Sequence, residues 1–480
     1  MLSLVGSSPT TRTTNKTEQS INDCSVFYPY VIRPIGKQYL YPIEEGDTMD
    51  SVWKTDIQLP QYEPLRQDIK TDVLIIGGGI TGILCANRLH EAGVSHVLAE
   101  ARSLCGGITG NTTAKITVQH GLIFSKLLRE FGTERTQMYL RANREALEHY
   151  RTMCRTIDCD FEEQTSAVYS LDDPVKIEDE LQALQKISVS AEYASSLPLP
   201  FPVAGAVSFA GQAQFHPLKF LSAIAQGLSV CENTRILELT PNGAVTKHGT
   251  IKADKIIVAT HFPFLNKHGS YFLKLYQSRS YVLALDHAPN IQGMYVDESD
   301  TGLSFRSYGD HLLVGGGGHR TGKKGGGWKE PEQFAQRYYP QSSLSSRWAA
   351  QDCMTLDGIP YAGQYSKRTP NLYVATGFNK WGMTSAMVAA SLLTDLVLGK
   401  QNPYTELFSP SRTILRPQLM VNAAESALHL LKPTIPRCPH MGCALTYNSQ
   451  EHSWDCPCHG SRFTEDGRLL DNPATGDMKP

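Results

Sequence analysis

A chain of 480 residues with 41% hydrophobic and 19% charged residues has a globular composition and is too long for one ordinary core, so two or three structural units are expected. Its formal net charge of −2 gives no sign of a nucleic-acid partner or of an anionic membrane surface. No run of about 18 apolar residues marks a transmembrane segment, and the N-terminus lacks the basic-then-apolar pattern of a secretory signal, so a cytoplasmic setting is the default.

Residues 1–48 are rich in Ser, Thr and Asn and hold no period. Either Met49 is the natural start and these residues are an upstream extension, or they form an ordered arm. Residues 1–69 are read together as an N-terminal extension, disordered in part. From Thr71 to about Lys400, apolar strand-like runs (Val73–Ile76, Lys255–Ala259, Leu312–Val314, Leu372–Ala375) alternate with helical patterns, an α/β signature. The glycine runs at 315–318 and 325–327 read as a strand end and a mobile loop. Residues 401–432 read as a linker with an amphipathic stretch at Val421–Leu431. A Pro-bounded segment then opens residues 433–480, where four of the eleven cysteines crowd between 438 and 458. Clustering of that kind in a reducing compartment points to metal.

The first strand run, Thr71–Ile76, passes directly into Gly77-Gly78-Gly79-Ile80-Thr81-Gly82, then a helical stretch from Ile83 to Gly93, then a second strand at His96–Ala99 ending in Glu100. This is a dinucleotide fingerprint in full βαβ context. Gly77 allows the tight turn, Gly79 lets backbone approach a pyrophosphate, and Gly82 lets helix pack closely on strand. The helix N-terminus offers N–H groups to phosphate, and Glu100 can accept from ribose hydroxyls. The fingerprint alone leaves FAD and NAD open, and no second one is present for an NAD(P)H-dependent reductase.

Three further motifs decide for FAD by resemblance. Gly106-Gly107-Ile108-Thr109-Gly110-Asn111-Thr112-Thr113-Ala114-Lys115 resembles the loop after the ribose acid in D-amino-acid-oxidase-like flavoproteins. Asp254–Thr260 resembles their second strand-to-loop motif, with His261 where glycine is usual. Asp357–Gly363 followed by Leu372–Gly377 resembles their C-terminal signature. The resemblance spans about residues 70–400. It implies a Rossmann-like α/β FAD-binding domain (about 70–125, 205–265 and 350–400) interleaved with an α+β substrate domain. It places Thr109, Gly110, Gly377, Gly382, Met383 and Thr384 at the cofactor, with the helix from Gly382 aiming its positive end at the flavin C2 carbonyl.

Cys438-Pro439-His440-Met441-Gly442-Cys443 and, after fifteen intervening residues from His440, Cys456-Pro457-Cys458-His459-Gly460-Ser461 supply the two thiolates and two imidazoles that a Rieske 2Fe–2S cluster requires. Cys438 and Cys456 would hold one iron, His440 and His459 the other, and such centres lie at roughly −150 to +300 mV. Zinc is the alternative, but it favours paired C-x2-C ligands and needs none of the flanking residues. The segment resembles Rieske proteins of the cytochrome-complex type, which implies a small all-β domain and places a loop-linking disulfide at Cys443 and Cys458. Phe463 stands where that type has a tyrosine bonded to a cysteine sulfur, which lowers the expected potential. The segment is short for a full domain.

Together the two centres imply a dehydrogenase, with electrons passing from FAD through the cluster to an external acceptor, protein or quinone. The alternative is a redox relay or sensor without a small-molecule substrate. In amino-acid-oxidising members of the resembled family, an arginine three residues before the T-x-D-G threonine clamps the substrate carboxylate. Here that position is Asp352, which favours an amine. Arg306, on a substrate-domain strand, is a second candidate near substrate, and His216 reads as a helix-start residue.

Overall fold

The computed structural model describes residues 50–265, 268–299, 301–433 and 436–478; the choice between Met1 and Met49 as the start lies outside the described residues. Three sheets carry the architecture. The first grows from the apolar run after Lys70: the last four residues of the Ile69–Ile76 strand are all buried, as befits a parallel strand covered on both faces. It is flanked in parallel by Thr250–Val258, with Leu74 opposite Ile256, and by His96–Ala99, with Leu74 opposite Val97. Leu372–Thr376 extends the parallel set beyond Thr250–Val258, and Tyr361–Gln364 closes that edge antiparallel. Helices Ile80–Glu91 and Gly382–Val397 pack on each other and on this sheet.

The second sheet has nine strands, with Ser343–Thr355 and Leu275–Asp286 paired along nearly their full length at one side. Gly205–Gln214, read from the sequence as the start of a flavin-binding part, lies in this sheet against Glu162–Ser170. The glycine run at 315–318 is not a strand end: it sits inside the His311–Arg320 strand. Neighbouring chain presses against it, since a Cβ at Gly315 would meet Ser304 Oγ at 2.6 Å and one at Gly317 would meet the Gly327 carbonyl at 1.9 Å. Residues 50–68, grouped with the extension by their sequence, are an integral part of the fold. Trp53 is fully buried among ring edges of His216 and Tyr308, and Leu65 joins the core of the first sheet.

The third sheet is a four-stranded antiparallel meander: Thr446–Asn448, Ser453–Asp455, Arg462–Thr464 and Leu469–Asp471. It is not tethered loosely. Gln277 Nε2 donates to the carbonyls of His459 (2.8 Å) and Asn472 (2.9 Å), and Gln351 Nε2 donates to that of Gly460 (2.9 Å). In return, Asn472 Nδ2 donates to the carbonyls of Thr260 (2.6 Å) and Phe262 (2.7 Å). Beside these amides lies a buried charge network. Arg279 and Arg462 both bind Glu451, Arg462 also binds Asp455 and Asp471, and Tyr281 donates its hydroxyl to Glu451 at 2.9 Å. Burial alone would raise the Glu451 carboxyl; the two guanidiniums hold it at about 2. Buried polar groups are tolerated only when paired, and here the pairing itself joins the two domains.

Candidate redox sites

A cleft of about 760 Å³ opens along the carboxyl ends of the first sheet's parallel strands and runs to the second and third sheets, where open α/β sheets place their ligands. At one end the chain makes a backbone cradle. Gly77 has φ +110, and its carbonyl stands only 1.9 Å from where a Cβ of Gly82 would be, so both positions exclude side chains. Gly77 and Gly79 line the cleft, whereas Gly82 lies behind its wall and sets the helix against the strand. Glu100 lines the cleft with one carboxylate oxygen on the Gly78 N–H (2.6 Å) and the other on the Arg102 N–H (2.8 Å). Each oxygen keeps a lone pair for a ribose hydroxyl.

Thr109 also lines the cleft, and its Oγ1 accepts from the Ile80 N–H at 3.0 Å, so it fixes the first turn of the cradle helix. Gly110 is behind the wall, with its carbonyl bonded by Ser51 Oγ. At the far end Gly377, Gly382 and Met383 line the cleft. Thr384 is buried behind them, its Oγ1 bonded to His120 Nε2 at 2.9 Å. A backbone cradle that admits no Cβ, an acid at its rim and a helix N-terminus at the other end fit a bound dinucleotide flavin.

Arg306 does not face the cleft, and the expectation that it meets substrate is corrected. It is fully buried, donates to the carbonyls of Thr113 (2.8 Å) and Ala114 (2.9 Å), and lies over the Trp53 ring. Trp53 Nε1 donates to the Thr112 carbonyl (2.6 Å) and Trp348 Nε1 to that of Asn111 (2.9 Å). One buried cation and two indoles thus clamp the 110–114 loop from behind. Asp352 does line the cleft, half-buried, with its carboxyl raised by burial against the opposing pull of His261, Lys380 and Arg279. His216 caps the Pro217–Ala225 helix, Nδ1 accepting from the Lys219 N–H.

Several cleft residues escaped sequence reasoning. His120 stacks on Trp381 at 5.2 Å, and burial holds it at about 3, so it is neutral at pH 7. Lys115 is pushed down to about 7 by burial, with Arg306 adding to it. His261 occupies the left-handed region at φ +63, which explains why glycine is usual there. Its ring lines the cleft with Nε2 buried and unbonded. Leu469–Asn472, Ala474 and Thr475 line the same cleft from the third sheet, a contribution no motif announced.

The cysteine and histidine ligand candidates come together on two matching loops. Gly442 N–H donates to the Cys438 carbonyl and Gly460 N–H to that of Cys456, at 2.9 and 2.8 Å, with φ of +79 and +84 at the two glycines. Each loop therefore turns its Cys and His to the same point. Cys438 and Cys456 are buried, the Cys456 thiol is pushed well below its usual range by sulfur contacts from Cys438, Cys443 and Cys458, and the His440 and His459 rings lie 4.9 Å apart at 86°. Both ring nitrogens of His459 are buried without a hydrogen-bond partner. Buried orphan imidazole nitrogens beside crowded thiols fit an iron–sulfur cluster. Cys443 and Cys458 are free thiols here, and their sulfurs and that of Cys456 lie within 4.8 Å of one another. Phe463 is fully buried in the domain's core.

The histidine edge is turned inward. His440 and His459 meet the Phe262 ring at 6.4 and 6.5 Å, and Phe272 meets His459 at 6.2 Å. Phe262 sits in the loop that leaves the flavin sheet's Thr250–Val258 strand, beside His261 in the cleft.

Residues 72–396 match the model of the FAD dependent oxidoreductase family, and residues 413–480 that of the Rieske [2Fe-2S] domain. The chain is 34% identical to the putative Rieske 2Fe-2S iron-sulfur protein YhfW of Bacillus subtilis (strain 168), over 90% of this chain and 97% of that protein. It is 23% identical to the gamma-glutamylputrescine oxidoreductase of Escherichia coli (strain K12), over 70% of this chain and 86% of that one. The crystal structure of glycine oxidase from Geobacillus kaustophilus superposes with a TM-score of 0.61 at 19% identity, covering 72% of this chain and 99% of that one, which is a likeness of fold.

Proposed function

The chain belongs to the FAD-dependent oxidoreductase family and carries a Rieske [2Fe-2S] domain at its C-terminal end, and on that premise we propose that it is a dehydrogenase which oxidises a small amine or amino acid and passes the electrons through the cluster to an external acceptor. Bound FAD would supply the hydride-accepting centre and the cluster a one-electron centre. The observation that carries the reading is the inward histidine edge: His440 and His459 face Phe262 and Phe272 of the flavin domain. A cluster serving only an outside partner would have no need to turn that edge towards the flavin domain.

The roles follow the geometry. Cys438 and Cys456 would hold one iron, His440 and His459 the other. Gly77 and Gly79 would admit the pyrophosphate and Glu100 would accept from the ribose, while Thr109 keeps the cradle helix in place. Gly377, Gly382 and Met383 would border the flavin ring, while Gly82, Gly110 and Thr384 shape the wall from behind. Asp352 would hold the substrate ammonium on the cleft wall, since a half-buried carboxylate attracts a cation more strongly than an exposed one.

The test is anaerobic mixing of the holoprotein with a panel of amines, amino acids and NAD(P)H, following flavin absorbance and the cluster's paramagnetic signal together. Bleaching by an amine or amino acid, with the cluster reduced in the same mixing experiment, is the expected result. Bleaching solely by a reduced carrier protein would overturn it in favour of a relay without a substrate of its own.

A further inference from the structure

The helix Pro417–Leu431 is built inside out. A surface helix normally turns its apolar stripe to the core and its polar side to water. Here Asn422 and His429 are buried, at 3% and 6% exposure, while Met420, Leu428 and Leu431 stand 72%, 59% and 84% exposed. The polar side has a reason to face inward. Asn422 Oδ1 accepts from Arg320 (2.9 Å), whose guanidinium also donates to the carbonyls of Pro457 and Cys458 in the second ligand loop. Glu425 pairs with Lys323 at 2.6 Å, and the His429 carbonyl accepts from the Ala444 N–H. The helix is thus fastened by Asn422 and Glu425 to the end of the second sheet's His311–Arg320 strand and by the His429 carbonyl to the cluster domain, and its aliphatic face is left to solvent.

What surrounds that face identifies the partner. A shallow groove beside Leu428 and Leu431 is bordered by Lys323, which Glu425 neutralises, and by Lys324 and Lys432, and among the described residues no acidic side chain lines it. Arg437, exposed, ties the helix C-terminus to the first ligand loop through the carbonyls of Leu430 and Gly442. The helix itself holds no lysine or arginine, but its exposed aliphatic side chains beside Lys324 and Lys432 pair an apolar face with cations that suit the acyl and anionic headgroup layers of a membrane interface. A second copy of the chain on this face would set the lysines of both copies against each other, which opposes self-association. The net charge of −2 conceals this patch because it averages the whole chain.

We propose that the Pro417–Leu431 helix docks the protein on an anionic lipid bilayer, laying the cluster domain at the membrane surface. The proposal goes beyond the catalytic reading, and its test uses no turnover, so either can fail alone. The full-length holoprotein is sedimented with sucrose-loaded vesicles of phosphatidylglycerol and phosphatidylcholine, and with vesicles of phosphatidylcholine alone. Binding to the anionic vesicles, weakened by high salt, is expected. Lys324→Gln with Lys432→Gln should weaken it by on the order of tenfold or more, each cation near the surface contributing its share. Leu428→Glu with Leu431→Glu should abolish it, with flavin and cluster absorbance retained as the control for folding. Leu428→Ser with Leu431→Ser serves if the glutamate pair fails that control. Absence of binding to anionic vesicles, or equal binding by the leucine variants, overturns the proposal. So does a dimer in solution that those variants dissociate.

Discussion

Glu451→Gln isolates the contribution of the buried charge network to domain docking. The wild-type carboxylate is 5% exposed and shared by Arg279 and Arg462. Its carboxyl lies at about 2 against an ordinary 4.5. The gap between about 2 and 4.5, at about 1.4 kcal/mol per pH unit, corresponds to about 3–4 kcal/mol of stabilisation. That agrees with the ~3–5 kcal/mol lost when one member of a buried ion pair is removed. Because the folded value is the lower one, this stability is fully present above the unfolded value near 4.5 and is lost as pH falls from there through about 2. Glutamine keeps the shape and removes the charge, leaving two guanidiniums under-compensated. The expected result at pH 7 is a lower denaturant midpoint for the cluster domain, corresponding to about 3–4 kcal/mol, with slower reduction of the cluster by the reduced flavin in anaerobic stopped flow. At pH 2, where wild type also loses the charge, the two proteins should converge. An unchanged midpoint and unchanged cluster reduction at pH 7 would refute the reasoning.

Four other outcomes are expected. Gly82→Ala forces a Cβ to within 1.9 Å of the Gly77 carbonyl, so the purified variant should lack flavin by absorbance; stoichiometric flavin would contradict the cradle. Arg306→Met leaves the Thr113 and Ala114 carbonyls unpaired at about 1–3 kcal/mol apiece, so FAD titration of the apoprotein should show affinity falling tenfold or more, whereas a substrate-binding arginine would change KM alone. Asp352→Asn should raise the half-saturating concentration of an amine on the order of a hundredfold with flavin content intact; an unaltered value for every substrate would count against the amine reading. His459→Cys should shift the cluster's spectrum and potential towards all-cysteine behaviour or lose the cluster, and an unchanged spectrum would exclude histidine ligation there.

The parts legible in the sequence are those whose chemistry is local. Gly77 to Glu100 spell a strand, a turn and a helix within one stretch, and Cys438 to His459 spell a ligand set within two loops, so spacing alone exposes both. What stayed hidden depends on contacts between distant segments. Nothing in the local pattern around Gln277 or Gln351 says that each bonds a cluster loop, because a glutamine on a buried strand carries no period or spacing that distinguishes it. Arg306 could be placed on a strand but not turned, since facing substrate and clamping a loop from behind demand the same residue. Trp53 belonged to a stretch of weak pattern, and its burial follows from the 110–114 loop that lies against it. His261 was visible as a departure from glycine; its left-handed backbone and its place on the cleft wall were not.

The two bonds from Asn472 to the carbonyls of Thr260 and Phe262 span 212 and 210 residues. At about 5–20 residues per second, a ribosome spends on the order of 10–40 s between making the loop and making the residue that pins it. During that interval the nascent flavin domain has an open-sided cleft, and the closing segment arrives together with the chain's iron ligands. Cofactor assembly is thereby placed in an order: the organic group can enter early, but the chamber around it takes final form only with the part of the polypeptide that captures metal.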